Sequence, residues 1–483
     1  MPLDHDAQYR ALLIRDPRFD GRVFVCVKTT GIYCRPICPA RPPKPENIIF
    51  VQTAAAAQEA GFRPCLRCRP ETAPDLGAWR GASNTVSRAL ALIELGALDG
   101  DDLETLANRV GVGERQLRRL FRQHLGASPV AVAQTRRVLL AKQLIHETHL
   151  PMTEIAMAAG FGSLRRFNEV FQDLYQRSPS DLRRSRKGDL SSGAQGEISL
   201  TLRYRAPYDW PAMLGFLKLR AIAGVETVEG DTYARTIGFG AMQGTVSVRP
   251  GPVDRLEASV RFAKLSALPN IIARLRRVFD LSAEPEAIGQ HLAKDPALAP
   301  LVAARPGLRL PGAWDGFEFA IRAVLGQQIT VPAAVRLASK LVARYGQPLS
   351  DPQPGLTHLF PEPALLAQTD LSDLGLPRSR AKTLSAVAAA VIADPDLLSA
   401  GHSLEEAVAR LRAVPGIGDW TAHYIAMRQL REPDAFPAAD VGLMRALADA
   451  DGNRPDAAAL LNRAQAWRPW RAYGAQHLWA SLT

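Results

Sequence analysis

The hydrophobic pattern changes character several times along the chain. Residues 1–72 begin with a turn over Phe19–Thr30 that leads into a strand, where Val23, Val25 and Val27 alternate with other positions. Ala54–Ala60 follows as a helix. Residues 84–186 are helical and fall into two similar units. Residues 197–282 return to strand-like alternation in ISLTLRY, VETVEG, YARTIG and GTVSVRP, with helices predicted at Trp210–Ala221 and Val253–Ser266. From about residue 283 the pattern is helical to the end. Leu310–Gly346 predicts two helices around a GQQIT turn, Leu374–Ile392 another, Leu404–Leu411 and Trp420–Leu430 a pair joined by Pro-Gly-Ile-Gly, and Ala457–Leu482 the last. Residues 71–83 and 183–196 are rich in small, polar or basic residues and predict linkers. The expected fold is multidomain and mainly α: a small α+β module (1–72), an all-α tandem domain (84–186), an α+β subdomain (197–282) and an all-α domain (283–483).

Length supports that division, since 483 residues exceed one ordinary core. No long apolar run is present, so no membrane partner is expected. The opening MPLDHDAQYR lacks an apolar signal core, which predicts a cytoplasmic protein. A net charge of +11 suits a polyanionic partner without identifying it.

All five cysteines precede residue 69. Cys34 and Cys38 form a C-x3-C pair, and Cys65 and Cys68 a C-x2-C pair. Such pairs predict a zinc site rather than disulfides. The surrounding module has few apolar residues, so a structural metal would supply stability that its core lacks. Cys26 sits in an apolar run and is most simply a buried strand residue. The site could be purely structural. However, four thiolates on Zn²⁺ carry a formal charge of −2, which makes the sulfurs nucleophilic unless shielded. Arg35, Arg41, Arg63, Arg67 and Arg69 lie around the cysteines and could hold a phosphate backbone near them.

TTGIYCRPICPAR with GFRPCLRCRPE resembles the N-terminal domain of the Ada adaptive-response family. The resemblance implies that Cys34 accepts a methyl group from a DNA methylphosphotriester, irreversibly. It also implies that Thr30, Arg41 and Arg63 face DNA phosphates. Transfer would take the thiolate centre from −2 to −1, reduce repulsion from the backbone and strengthen DNA binding.

The two helical units share a pattern. Ala107 and Gly111 recur as Ala156 and Gly160, and both units end in Ser-Pro. A small residue between helices and glycine in the turn fit helix-turn-helix geometry. The recognition helices would be Glu114–Gln123 and Leu164–Asp173, carrying Arg118, Arg119, Arg165 and Arg166 as DNA-facing candidates. A solvated basic face on a helical bundle is the alternative. The tandem resembles an AraC-type DNA-binding domain, which implies promoter DNA and RNA polymerase as partners and activation as the role.

In the last domain, VPGIGDWTAHYIAM is followed by Asp440. Gly416 and Gly418 permit a tight turn that exposes backbone N–H groups at a helix N-terminus, where a phosphate can bind. Together with VLGQQIT and WRPWRAYGAQHLW, these residues resemble the helix-hairpin-helix DNA glycosylase superfamily, most closely its AlkA-type, 3-methyladenine-releasing members. The resemblance covers about residues 197–483. It implies a flipped alkylated base held by Trp420, Tyr424 and Trp479, whose faces suit a cation. It makes Asp440 the carboxylate that stabilises an oxocarbenium-like sugar and positions water. It places Gln328 in the gap left by the flipped base, and a monovalent cation on the hairpin carbonyls. Val441, where some AlkA proteins have Tyr, implies a more open pocket.

Trp420 stands where the lyases of the superfamily carry lysine, which implies a monofunctional glycosylase. No cysteine follows Cys68, so neither an iron–sulfur cluster nor an alkylguanine acceptor domain is expected. The aromatic residues could instead be core, and Asp440 could be a helix N-cap before VGLMRALA. One side chain could not fill both of those roles at full strength. The expected whole is a nucleoid-associated alkylation-response protein, at once methyl sensor, activator and glycosylase of alkylated double-stranded DNA. The competing class is a regulator whose glycosylase-like half binds DNA without excising bases.

Overall fold

The structure, a computed structural model, describes residues 5–73, 84–184, 197–399, 402–449 and 451–482. Most of both predicted linkers, at 74–83 and 185–196, lies outside the described residues. The chain forms two units, Met1–Arg205 with Lys264–Ala273, and Ala206–Ala263 with Arg274–Thr483. As the sequence predicts, the fold is multidomain and mainly helical.

The first unit begins with a small four-stranded sheet. Strand Phe24–Val27 pairs antiparallel with Ile32–Cys34 and with Ile48–Val51. Arg63–Pro64 adds to Ile32–Cys34 in parallel. Helix Ala54–Glu59 is capped by Thr53, whose hydroxyl accepts the Ala56 N–H. Its alanines are buried, and Ala55 and Ala56 enter the same core as the first helical unit. The zinc module thus shares a core with its neighbour, because so short a sheet has too little apolar surface of its own.

The tandem helices follow the predicted plan. Leu103–Arg109 leads through Gly111 (φ +75°) to Glu114–Leu125, and Met152–Ala158 leads through Gly160 (φ +89°) to Leu164–Tyr175. Both glycines occupy the left-handed region, which other residues adopt at a cost. Ala107 and Ala156 are buried at the crossings. Helix Pro129–Glu147 bridges the two pairs. On it, Arg136 and Arg137 both pair with Asp99.

In the second unit, strands Glu226–Glu229, Thr232–Phe239, Met242–Gly251 and Arg255–Phe262 run antiparallel in sequence order. The last of these corrects the helix expected over Val253–Ser266. Leu256, Ala258, Val260 and Phe262 are buried in strict alternation with Arg255, Glu257, Ser259 and Arg261, the period of a half-buried strand. Leu256 and Val260 also sit four apart among good helix formers, which invites the helical reading. The helical remainder is also interrupted. Gln347–Gln353 and Leu356–Leu359 form a β-hairpin where helix was expected throughout. The predicted helices at GQQIT appear as Gly316–Leu325 and Val331–Tyr345. The predicted hairpin joins Leu404–Arg412 to Asp419–Arg428.

A buried charge network ties the sheet to the helices. Arg235 bonds Glu318 at 2.6 Å, and Arg322 bonds Glu226 at 2.5 Å and Glu318 at 2.6 Å. Two acids and two bases leave no net charge, and each ion is paired, as burial requires.

Candidate functional sites: a four-thiolate centre and a carboxylate pocket

Cys34, Cys38, Cys65 and Cys68 converge at one end of the small sheet, with all four Sγ atoms within 4.8 Å of one another. Four sulfurs about 2.3 Å from one tetrahedral ion would lie roughly 3.8 Å apart, so the set fits one Zn²⁺. Backbone groups reach three of the sulfurs. The Arg35 N–H donates to Cys68 Sγ at 3.3 Å, the Arg67 N–H to Cys65 Sγ at 3.4 Å, and the backbone at Ala40 bonds Cys38. Cys34 is the half-exposed member; the other three are buried. Cys26 is fully buried and its thiol is pushed up to about 12 by burial, which makes it an inert core residue at neutral pH.

The arginines divide into two groups. Arg41, Arg67 and Thr30 are exposed, and Arg63 is half-buried. Arg35 instead turns inward. Its Nε donates to Asp20 at 2.7 Å, and Nη1 donates to the Cys68 carbonyl and the Thr72 hydroxyl. Arg69 pairs with Glu71 at 3.0 Å. The expectation that all five arginines serve DNA therefore fails for these two, which hold the cysteine loop in shape.

Glu71 also meets Lys142 of the bridging helix at 2.8 Å, with both side chains fully buried. Lys142 lies over the ring of Tyr175, in the last turn of the second recognition helix. On the other side, Thr53 donates to the Leu125 carbonyl at the end of the first recognition helix, and Glu59 pairs with Arg122. The thiolate module is thus bonded to the first recognition helix and to the bridging helix, whose Lys142 in turn meets the second recognition helix. On the recognition helices, Arg118 pairs with Glu114, Arg119 with Gln116, and Arg165 and Arg166 with Glu169. All four arginines are exposed.

The second site is a cavity of about 1630 Å³ within the second unit. Asp440, Trp420, Tyr424, Trp479, Gln328, Gly416, Gly418 and Val441 all line it. Trp420 and Tyr424, one turn apart on the hairpin's second helix, stack at 5.1 Å and 17°. Trp479, from the C-terminal helix, meets Tyr424 edge-on at 6.1 Å. Asp440 is the N-cap of helix Val441–Ala446, with Oδ1 accepting the Leu443 N–H at 2.9 Å. The same carboxylate accepts the indole N–H of Trp420 at 2.8 Å and of Trp479 at 2.9 Å. The cap and the pocket positions are therefore combined in one residue.

At the hairpin, Gly416 has φ +89° and a Cβ there would collide with Thr383. Gly418 is the N-cap of Asp419–Arg428 and offers no side chain, so the first-turn N–H groups stay uncapped by the chain. Gln327, from the turn between Gly316–Leu325 and Val331–Tyr345, locks the hairpin turn. Its Nε2 donates to the Gly416 carbonyl and the Thr421 hydroxyl, both at 3.1 Å, and Arg380 donates to its carbonyl at 2.6 Å. Gln328 next to it is exposed with φ +56°, a costly conformation for a non-glycine residue.

Sequence reasoning missed Arg428. It is fully buried beneath the aromatic cluster, with its guanidinium 5.5 Å from the ring centroids of both Tyr424 and Trp479. It donates to the Pro311 carbonyl and to Gln476, each at 2.9 Å. Burial pulls it down to about 10, so it remains a cation at neutral pH. The spacing Trp420, Tyr424, Arg428 along one helix face was the available signal.

Residues 7–71 match the metal binding domain of Ada, 106–185 a helix-turn-helix domain, 199–315 the AlkA N-terminal domain and 321–472 the HhH-GPD superfamily of base excision DNA repair proteins. A Mycobacterium tuberculosis protein named "Probable bifunctional transcriptional activator/DNA repair enzyme AlkA" is 42% identical over 99% of this chain and 97% of its own length. The chain belongs to that family. It combines the Ada-type, AraC-type and AlkA-type parts read from the motifs. The second unit is similar to DNA-3-methyladenine glycosylase 2 of Escherichia coli, 36% identical over 58% of this chain and 96% of that protein. The solved 3-methyladenine DNA-glycosylase from Archaeoglobus fulgidus, 23% identical, covers 58% of this chain and 96% of its own with a TM-score of 0.51, a likeness of fold. No described helix is long and apolar enough to cross a membrane.

Proposed function

We propose that this chain couples two reactions on alkylated DNA, a stoichiometric methyl transfer to Cys34 and hydrolytic release of alkylated bases of the 3-methyladenine type at Asp440. One observation carries the glycosylase reading: a carboxylate held at the floor of an aromatic cavity beside an uncapped hairpin helix. The hairpin N–H groups grip a phosphate next to the lesion. Gln328 reaches into the duplex, and the extruded base stacks on Trp420 and Tyr424. A methylated purine is cationic and leaves with the glycosidic electron pair, so no general acid is needed. Asp440 stabilises the positive sugar and orients the water whose oxygen bonds C1′; the water proton passes to Asp440 or to solvent. A tryptophan at position 420 offers no amine for a Schiff base, so the enzyme is monofunctional, of the DNA-3-methyladenine glycosylase II type.

At the first site, the Cys34 sulfur attacks the methyl carbon of a neutral phosphotriester. The S–C bond forms, the C–O bond breaks, and the electron pair stays on the phosphate oxygen. Bound Zn²⁺ would keep all four sulfurs deprotonated at neutral pH. Among the four cysteines Cys34 is the half-exposed one, which supports its assignment. Thr30, Arg41 and Arg63 hold the backbone. Arg118, Arg119, Arg165 and Arg166 exchange their intrahelical partners for promoter DNA. The protein then activates transcription through contact with RNA polymerase, in the cytoplasm and on the nucleoid. A monovalent cation on the hairpin carbonyls would assist the phosphate grip; those of Val414 and Gly416 already accept the Ile417 N–H and Gln327.

Intact-mass analysis after exposure to methylated DNA tests the sensor half. One added methyl mapped to Cys34 is expected. No addition, or addition at another cysteine, rejects the assignment. Release of 3-methyladenine from the same DNA tests the other half, and a protein that binds DNA but releases no base is only a regulator.

A further inference from the structure

The three hydrogen bonds to Asp440 are unequally shared between its oxygens. Oδ1 accepts both the Leu443 N–H and the Trp479 indole N–H, each at 2.9 Å. Oδ2 accepts the Trp420 indole N–H alone, at 2.8 Å. An ionised carboxylate oxygen offers about two acceptor positions. Oδ1 is therefore saturated, and Oδ2 has one position left.

We propose that Trp420 and Trp479 are positioning residues, whose indole N–H groups fix the plane of Asp440 and leave Oδ2 as the oxygen that faces the reacting sugar and its water. The inference rests on Asp440 being the reacting carboxylate and adds a second task to residues otherwise read as a stacking wall. The three side chains come from three separate segments, so their convergence is a tertiary arrangement and not a local turn. Each indole is held from behind by Tyr424, Trp420 by stacking and Trp479 edge-on, so neither N–H can swing away without disturbing the cluster.

Gly442 makes the close approach possible. A Cβ there would lie 2.9 Å from Asp440 Oδ1 and 3.3 to 3.4 Å from the Trp479 pyrrole atoms. Any larger residue two places after Asp440 would wedge into the Trp479–Asp440 bond. The arrangement also explains how one residue caps a helix and still reacts. The cap uses Oδ1, and the open position belongs to Oδ2.

Phenylalanine keeps an aromatic face and deletes the indole N–H. Loss of a hydrogen bond to a charged group is worth roughly tenfold to a hundredfold in rate. The test is single-turnover release of 3-methyladenine from alkylated duplex DNA by the full-length protein, with affinity for abasic-site DNA measured alongside. Trp479→Phe, Trp420→Phe, Gly442→Ala and Asp440→Ala are compared with wild type. Expected for both Phe variants is a fall of about ten- to a hundredfold in the rate constant at saturating protein. Trp479→Phe should bind abasic-site DNA within about twofold of wild type. Gly442→Ala, which keeps both indoles and crowds only the Trp479–Asp440 bond, should reproduce the rate effect of Trp479→Phe. Wild-type rate constants in Trp479→Phe and Gly442→Ala would overturn the proposal, as would a change confined to affinity. If Asp440→Ala itself still releases base at the wild-type rate, the underlying reading falls instead.

Discussion

The buried pair between Glu71 and Lys142 should set the stability of the whole first unit. Both side chains are fully buried and 2.8 Å apart, and they join the last turn of the zinc module to the helix that bridges the two helix-turn-helix pairs. Lys142→Met removes one partner and leaves a buried carboxylate. Breaking a buried pair costs about 3–5 kcal/mol. Arg69 still holds Glu71 at 3.0 Å and is itself 36% exposed, which places the cost at the lower end. For a unit of this size, ~3 kcal/mol lowers the melting temperature by about 6–12 °C. The sign with pH follows from Glu71. Burial pushes its carboxyl up, but Lys142 and then Arg69 outweigh burial and hold it below 4.5. In wild type, its stabilisation is therefore present above 4.5 and is lost as pH falls through the lower folded value. In Lys142→Met the burial effect gains ground, so the deficit against wild type is largest at neutral pH and shrinks on acidification. Thermal melts of the cobalt-substituted protein, followed by its thiolate-to-cobalt absorbance, read this unit directly. Glu71→Gln combined with Lys142→Met should recover most of the loss, because the stranded charge is gone. A melting temperature unchanged in Lys142→Met, or a double variant as unstable as the single one, would refute the reasoning.

Other consequences are equally open to measurement. Stripping the metal with a chelator should unfold residues 5–73, since structural Zn²⁺ supplies about 10–16 kcal/mol of apparent binding energy; all five cysteines, including buried Cys26, should then react with a thiol reagent. The same treatment should weaken promoter binding even without methylation, because Thr53 and Glu59 brace the first recognition helix and Glu71 the bridging helix, and a gel-shift titration would show it. Gly416→Ala should cost at least about 1–2 kcal/mol from its left-handed backbone alone; collision with Thr383 adds to this, and affinity for abasic-site DNA should fall at least tenfold, with partial rescue by Thr383→Gly.

Much of the molecule was legible in the chain because the informative features were local. The cysteine spacings, the repeated alanine and glycine of the helix-turn-helix units, and the Pro-Gly-Ile-Gly hairpin each specify a turn or a ligand set within a few residues. Features made across the fold were not legible. Arg35 and Arg69 look like phosphate ligands beside the cysteines, and only folding brings Asp20 and Glu71 to neutralise them. Strand Arg255–Phe262 was hidden by its leucine, alanine and glutamate, whose helical propensity competed with a clear alternation; the sheet decided the outcome. The β-hairpin Gln347–Gln353 with Leu356–Leu359 has prolines and few β-branched residues, so nothing in its composition announced a strand. Trp420, Trp479 and Asp440 were identifiable as a set, but that the indoles donate to the carboxylate depends on ring orientation, which sequence does not encode locally. Arg428 was within reach, since it continues the aromatic face of its helix, and its fully buried charge explains why Pro311 and Gln476 are spent on it.

The central claim is that the carboxylate at the floor of the aromatic cavity carries base excision. Its most direct test is the amount of 3-methyladenine released from methylated duplex DNA by wild-type protein and by Asp440→Asn under single-turnover conditions. The account predicts release by wild type and a rate at least a thousandfold lower, roughly 4 kcal/mol, in Asp440→Asn, with abasic-site DNA still bound through the hairpin. Wild-type protein that binds this DNA and releases no base, or an Asp440→Asn variant that releases it at the wild-type rate, would contradict the account.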